Sequence, residues 1–284
     1  MNSSRMLIIG ANGQLGRALR IAYPDALSAD ATELDITNDA SLNSYDWSKV
    51  SVIMNAAAYT NVDEAESPEG RVTSWKVNAH AVANLVSVAL AHDLTLVHIS
   101  TEYVFDGTKQ LHLETEDLSP LGVYGQSKAA GDIAAMTLPK HYIIRTSWVI
   151  GDGKNFARTM LELAHKGLSP TVIADDIGRP TFTSELVRAI DHLLTTTAAY
   201  GTYNVSGGGP EVSWAGLTRA IFQVAGIDRV VTDTTDSAYY ADKPQAARRP
   251  RNSVFDLSKL QASGFTPHDW QVDLKAYIAK EQRA

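Results

Sequence analysis

"RMLIIGANGQLGRALRIAY", residues 5–23, decides the fold. The short apolar run "RMLIIG" (5–10) ends in glycine and reads as a buried parallel strand. "QLGRALRIAY" then reads as a helix. Between them, Gly10, Gly13 and Gly16 are spaced G-x-x-G-x-x-G. Small residues at such a junction let the backbone approach a pyrophosphate, whose charge is favoured at a helix N-terminus. A glycine triplet alone is weak evidence. This one sits between strand and helix, where a dinucleotide fingerprint belongs. The alternative is a plain tight turn. Gly10, Asn12, Gly13, Gln14, Leu15 and Gly16 are the candidates for holding a dinucleotide.

The pattern continues outward from this unit. "VSVIMNAAA" (50–58) is a second apolar run, and "SWKVNAHAVANLVSVALAHD" (74–93) predicts a long amphipathic helix. "LTLVHIS" (94–100) reads as a strand, Tyr124 to about Met136 as a helix, and "HYIIRTSWVI" (141–150) as another strand. Strands alternating with helices predict an α/β chain with a Rossmann-like, doubly wound parallel sheet. After Gly151 the alternation changes. "SGGGP" (206–210) is a loop and "RRPRNS" (248–253) a basic stretch without periodicity. We expect a dinucleotide-binding domain over 1–150 with a return segment at about 184–206. A smaller C-terminal substrate lobe is expected from 151–183 and 207–284.

Composition bounds the function. The chain has 284 residues, 44% hydrophobic and 20% charged, a globular balance. A net charge of −7 argues against general nucleic-acid binding. An anionic substrate would need positive charge gathered locally. There is no cysteine, so disulfides, thiolate metal sites and cysteine catalysis are excluded. "MNSSRMLIIGANG" does not read as a signal peptide, and no apolar stretch approaches the about 18 residues of a membrane span. The expected compartment is the cytoplasm, without a membrane partner.

Three further stretches fall where a dinucleotide would lie. Asp30, near the end of the second strand, can accept from adenosine ribose hydroxyls and would disfavour a 2′-phosphate. An exposed loop acid or a helix cap would look the same. "LDIT" (34–37) offers Asp35 and Ile36 for the adenine. "NAAAYT" (55–60) brings small residues, among them Ala57, to a strand end.

The strand "LVHIS" leads into "STEYVFDG" (100–107), so Ser100 and Thr101 emerge at its carboxyl end, where ligands bind in open α/β sheets. In "GVYGQSKAAG" (122–131) Tyr124 and Lys128 stand four apart on one helix face, about 6 Å along the axis. Together these residues make a coherent carbonyl-reducing site. Thr101 donates to the carbonyl oxygen, and Tyr124 gives it a proton as hydride arrives. Lys128 lowers the tyrosine pKa from its usual value of about 10 and holds the nicotinamide ribose. The cofactor itself carries the hydride.

With these residues in place, the glycine loop and the Tyr-x-x-x-Lys spacing resemble the extended short-chain dehydrogenases/reductases. The longer strings "GANGQLGRAL", "NAAAYTNVDEAE", "HISTEYVFDG", "VYGQSK", "IIRTSWVIG", "NFARTML" and "RRPRNS" are similar to those of the dTDP-4-dehydrorhamnose reductase family. They run in order over nearly the whole chain. The resemblance implies reduction of the C4 ketone of dTDP-4-dehydro-β-L-rhamnose by NADPH, often alongside NADH, with Tyr124 as proton donor and Lys128 its partner. It implies that Thr101 tunes the site, that Glu102 sits against the sugar, and that Ala58, Tyr59 and Thr60 line the cofactor. Val62, Trp148, Asn155 and Phe156 fall in motifs facing the sugar or nucleotide; Trp148 also fits plain core. Arg248 and Arg249 are the candidates for the dTDP diphosphate, since planar guanidinium suits phosphate oxygens; the alternative is a solvated basic loop pairing with nearby acids.

Three positions depart from the family pattern. Glu102 stands where Asp is usual, and Asp176 replaces the glutamine of "DQxGxPT". Ala18 occupies the position of a glutamate that bridges some family dimers through magnesium, so no metal site is carried over. A homodimer would lack that bridge. Rival readings are a nucleotide-sugar dehydratase or epimerase, a non-enzymatic regulator of methionine adenosyltransferase, and a ketoreductase for another dTDP-4-keto-deoxysugar. "TEY" (101–103) lacks the second carboxylate of dehydratases.

Overall fold

The structure, a computed structural model, describes residues 2–283. Strand β1 (Met6–Ile9) is buried along its whole length, and its side chains alternate between two cores. Met6 and Ile8 pack with Leu15 and Leu19 of helix α1 (Gln14–Ala22), while Leu7 and Ile9 point to the other face. This is the two-residue period of a strand covered on both sides.

β2 (Leu27–Ala29), α2 (Asp39–Ser44), β3 (Val52–Asn55), α3 (Pro68–Trp75), α4 (Ala81–Ala91), β4 (Thr95–Thr101), α5 (Val123–Met136) and β5 (His141–Thr146) follow. Next come β6 (Val149–Ile150), α6 (Phe156–His165), β7 (Thr171–Ile173), β8 (Ile177–Gly178), β9 (Thr181–Phe182), α7 (Thr183–Thr195) and β10 (Gly201–Val205). β11 (Val212–Ser213), α8 (Trp214–Ala225), β12 (Thr232–Thr234), α9 (Asp236–Tyr239), α10 (Ser258–Ala262) and α11 (Trp270–Glu281) complete the order.

Six strands form one parallel sheet in the order β10-β5-β4-β3-β1-β2. The chain steps from β1 to β2, then crosses back to β3 on the other side of β1. That reversal opens a crevice at the carboxyl ends of β1 and β3. The register brings the functional ends level. Ile9 pairs with Asn55, Asn55 with His98, and Ser100 and Thr101 with Arg145 and Thr146. Leu186 and Ile190 of α7 share the core of α1, and Leu85 and Ala89 of α4 fill the opposite face. A separate apolar cluster gathers α6, α8 and α11 around Trp270, with Leu161, Ile221, Leu274 and Ile278. The doubly wound parallel sheet expected from the sequence is present.

Three elements differ in detail. The helix read at 74–93 begins at Pro68, with Ser67 Oγ accepting from Gly70 N at 3.0 Å, and runs through a π-helical turn at Lys76–His80 before α4. The wider turn buries Asn78, whose side chain bonds Tyr59 N at 2.8 Å and Tyr59 O at 3.0 Å. The strand read at 141–150 breaks after Thr146. Trp148 adopts φ +48°, and β6 leaves the main sheet to pair with β9. A left-handed tryptophan is held only by its surroundings, here a stack on Trp214 with centroids 3.5 Å apart. The run at 50–58 yields the shorter β3, because Asn55 Oδ1 turns back to accept from Ala57 N at 3.2 Å.

Candidate active site

The glycine loop is closed on itself and open to one side. Gly10 has φ +77°, and a Cβ there would lie 2.6 Å from Ala57 N. A Cβ on Gly16 would meet Gly10 O at 2.1 Å, so α1 packs directly on its own loop. Gly13 differs: it is the exposed N-cap of α1, with only Gly10 O at 3.3 Å from where a Cβ would stand. The first turn of α1 carries no acidic side chain, leaving its positive end free for an anion. Asp30 follows β2 and accepts from Thr32 Oγ1 at 2.7 Å and Asn12 Nδ2 at 2.6 Å. These bonds, Thr32's first, hold its carboxyl below the usual range.

At the end of β4, Thr101 Oγ1 donates to Glu102 Oε2 at 2.8 Å and accepts from Tyr103 N at 3.2 Å. Tyr124 and Lys128 lie on α5, whose first amide, Val123 N, is capped by Glu66 Oε1 at 2.8 Å. A Cβ on Gly125 would lie 2.2 Å from Tyr103 O, so glycine there lets α5 close on the β4 loop. Tyr124 meets Tyr103 edge-on at 5.2 Å. Lys128 is 2% exposed and donates from Nζ to Ile99 O at 2.6 Å.

Burial sets the electrostatics. It pushes the Glu102 carboxyl up to about 7, against the bond from Thr101. It pushes Lys128 down to about 8, with Asp132 opposing. The Tyr124 phenol is raised by burial first and by Glu102 second. The lowered phenol expected from the Tyr-x-x-x-Lys spacing is therefore not met, because desolvation outweighs any cation. Behind Lys128, Arg145 Nε bonds Asp132 Oδ2 at 3.0 Å, both fully buried.

A cleft of about 590 Å³ joins these parts, lined among others by Gly13, Gln14, Ala58, Thr101, Tyr124 and Lys128. Leu15, Thr60, Val62, Glu102 and Trp148 also reach it. Ser100 Oγ and Thr146 Oγ1 have no hydrogen-bond partner among the described residues, and both residues line this cleft. Open glycine, a free helix terminus and unpartnered hydroxyls fit a dinucleotide. A second cavity of about 230 Å³ shares Glu102, Tyr103, Trp148 and Trp214 with the cleft and adds Phe156, Asp176 and Arg249.

Other expected residues stand elsewhere. Asp35 closes a turn onto Thr37 Oγ1 at 2.6 Å, and Ile36 is buried in the sheet core. Ala57 and Tyr59 line neither cavity. Asn155 is consumed structurally: it caps α6 through Arg158 N at 3.0 Å and bonds Gly151 O at 2.7 Å and Tyr277 Oη at 2.9 Å. Arg248 is exposed and lines neither cavity, so of the expected arginine pair only Arg249 reaches one. Arg251 instead pairs with Asp175 at 2.7 Å. Trp214, Tyr239, Tyr240 and Asn78 were missed. No local pattern in the sequence marks any of the four. Elsewhere Glu185, His268 and Asp273 bring ligand atoms within 4.8 Å of one another, with Glu185 already bonded to Arg188.

A sequence profile of the family described as RmlD substrate binding domain matches residues 4–283. A dTDP-4-dehydrorhamnose reductase of Aggregatibacter actinomycetemcomitans is 42% identical, covering 96% of this chain and 97% of its own. The crystal structure of a dTDP-4-dehydrorhamnose reductase from Clostridium acetobutylicum superposes with a TM-score of 0.91 at 35% identity, over 98% of this chain and 99% of that one. That of dTDP-4-dehydrorhamnose reductase from Bacillus anthracis, in complex with NADP, gives 0.90 at 33% identity, over 99% and 100%. With a parallel sheet, a glycine loop and a Thr-Tyr-Lys cleft already in place, the chain belongs to the dTDP-4-dehydrorhamnose reductase family.

Proposed function

We propose that the chain reduces the C4 ketone of dTDP-4-dehydro-β-L-rhamnose to dTDP-β-L-rhamnose, using NADPH or NADH. The observation that carries this is that Thr101, Tyr124 and Lys128 share one cleft with Gly13 at the N-terminus of α1. The activity named for the relatives, and the NADP in one of them, support it.

A bound nicotinamide would supply the hydride. Gly13 and the α1 terminus would hold its pyrophosphate, and Lys128 would hold its ribose. Thr101 donates to the carbonyl oxygen, and Tyr124 passes its phenolic proton to that same oxygen. Glu102 matters to Thr101. In its neutral form, favoured below about 7, it can donate to Thr101 Oγ1 and free the threonine hydrogen for substrate. The raised phenol of Tyr124 keeps the proton in place until negative charge develops on the oxygen beside it. Trp148 on Trp214 walls the sugar end of the cleft.

We assign the dinucleotide to 1–150 with the return segment at about 184–206, and the nucleotide sugar to 151–183 and 207–284. No helix among the described residues is long and apolar enough to cross a membrane; a cytoplasmic place is our reading. The test is NADPH and NADH oxidation with dTDP-4-dehydro-L-rhamnose, beside other dTDP-4-ketosugars. Oxidation of neither cofactor by purified protein would overturn the assignment, and faster turnover of another ketosugar would reassign the substrate.

A further inference from the structure

Asp176 is 3% exposed, lines the smaller cavity, and its Oδ1 has no hydrogen-bond partner among the described residues. Its neighbour Asp175 is different. That carboxylate accepts from Arg251 at 2.7 Å and from Asp236 N at 2.7 Å. The backbone that presents Asp176 is fixed on its C-terminal side, where Ile177 N bonds Arg251 O at 2.8 Å and Ser253 N bonds Ile177 O at 2.8 Å. A rigidly presented, buried carboxyl without a partner is costly unless a ligand completes it.

The cavity tells which part of a ligand that is. At about 230 Å³ it is smaller than the roughly 300–1,000 Å³ of a drug-sized site, so it takes only part of a nucleotide sugar. Its walls are aromatic, with Phe156, Trp214, Tyr239 and Tyr240, which suits the faces of a planar ring. It joins the Tyr124 cleft through Glu102, Tyr103, Trp148 and Trp214. On the dTDP-sugar reading the reacting sugar would lie at Tyr124 and the diphosphate at Arg249, the guanidinium on the same cavity wall. The nucleobase is the part left for the Asp176 end.

We propose that Asp176 reads the imide edge of the thymine base, donating to a ring carbonyl and accepting from the ring N3–H. The inference rests on the dTDP-sugar reading above. A neutral carboxyl carries a donor and an acceptor side by side, which matches an imide; a carboxylate carries acceptors only. The surroundings favour the neutral form. Burial first, then the carboxylates of Asp236 and Asp175, push Asp176 up to about 7, against Arg251 and Arg249. The other titratable groups on the cavity wall are Glu102, Tyr103, Tyr239 and Tyr240.

The experiment is calorimetric binding of dTDP-L-rhamnose at about pH 6 and about pH 8.5. This ligand's diphosphate is esterified at both ends and does not titrate in that window. Asp176→Asn keeps a donor and an acceptor at every pH. Wild-type affinity should fall as pH rises through about 7, more steeply than that of Asp176→Asn. Asp176→Leu should bind about tenfold more weakly at the lower pH. At that pH, N3-methyl-dTDP should bind wild type about tenfold more weakly than dTDP, with the penalty gone in Asp176→Leu. Equal pH slopes in wild type and Asp176→Asn, or a methyl penalty that survives in Asp176→Leu, overturns the role of Asp176. Failure of wild type to bind any dTDP ligand while binding NADPH overturns the dTDP-sugar reading itself.

Discussion

Thr101 donates its hydroxyl to the Glu102 carboxylate 2.8 Å away, and both side chains are buried at the carboxyl end of β4. The pair ties the protonation of one residue to the hydrogen-bonding freedom of the next.

Glu102→Gln should change two pH dependences. Burial raises the Glu102 carboxyl from 4.5 to about 7, so between those values the folded chain keeps a proton that the unfolded chain has released. Stability from this group therefore falls as pH rises through that window. Thermal melts should show the Gln variant gaining on wild type from about pH 5 to about pH 8. Activity follows the same group, because an ionised Glu102 raises the Tyr124 phenol further. Wild-type kcat/KM should decline through about pH 7 and the variant should decline less. Superimposable profiles would remove Glu102 from both effects.

Tyr124→Phe should lower kcat by about 10²–10⁴-fold with cofactor affinity nearly kept, because the ring packs against Tyr103 while only the oxygen transfers a proton. Lys128→Met should hurt both kcat and cofactor binding, since that residue is assigned to ribose and proton chemistry together. A Phe variant with near-normal kcat would show that the proton comes from elsewhere.

The sheet was legible because its strands carry local signs: an unbroken apolar run in β1 and a glycine spacing after it. The Thr101, Tyr124 and Lys128 trio was legible for the same reason, two of its members sharing one helix face. What escaped depends on distant partners. Glu66 caps α5 from 57 residues away, and Asn78 holds Tyr59 only because a π-helical turn buries it. The break after Thr146 was hidden because an apolar string reads as a strand until a left-handed Trp148 redirects it. "RRPRN" showed three arginines but not their directions, which the ion pairs of Arg249 with Asp63 and Arg251 with Asp175 decide.

Asp30→Ala should raise the use of NADPH relative to NADH. The side chain follows β2 beside the glycine loop, bonded to Asn12 and held ionised by Thr32. A fixed negative charge there favours ribose hydroxyls and repels a 2′-phosphate. The ratio of kcat/KM for the two cofactors reports it directly. An unchanged ratio would mean that Asp30 serves only the Asn12–Thr32 turn.

Arg249 and Arg248 should separate cleanly when each is changed to Ala. Arg249 lines the smaller cavity, with its guanidinium 5.0 Å from the Tyr240 ring. Its NH2 group reaches both Asp63 oxygens at 2.9 Å, and NH1 bonds Ala247 O at 2.8 Å. The partner Asp63 is half exposed, so this pair is worth little by itself, and a diphosphate can compete for the same fork. Arg248 is exposed and lines neither cavity. A lost charge-assisted bond costs roughly 1.5–3 kcal/mol, so Arg249→Ala should raise KM for the dTDP-sugar by about 10–100-fold. Arg248→Ala should change it by less than about twofold, as surface substitutions do. KM for NADPH should hold in both variants, because the glycine loop lines the other cavity. Asp63→Ala provides the control for fold effects. It breaks the same ion pair but leaves the guanidinium, so it should not raise the sugar KM. If Asp63→Ala and Arg249→Ala weaken sugar binding equally, the arginine acts by holding the loop and not by touching the diphosphate.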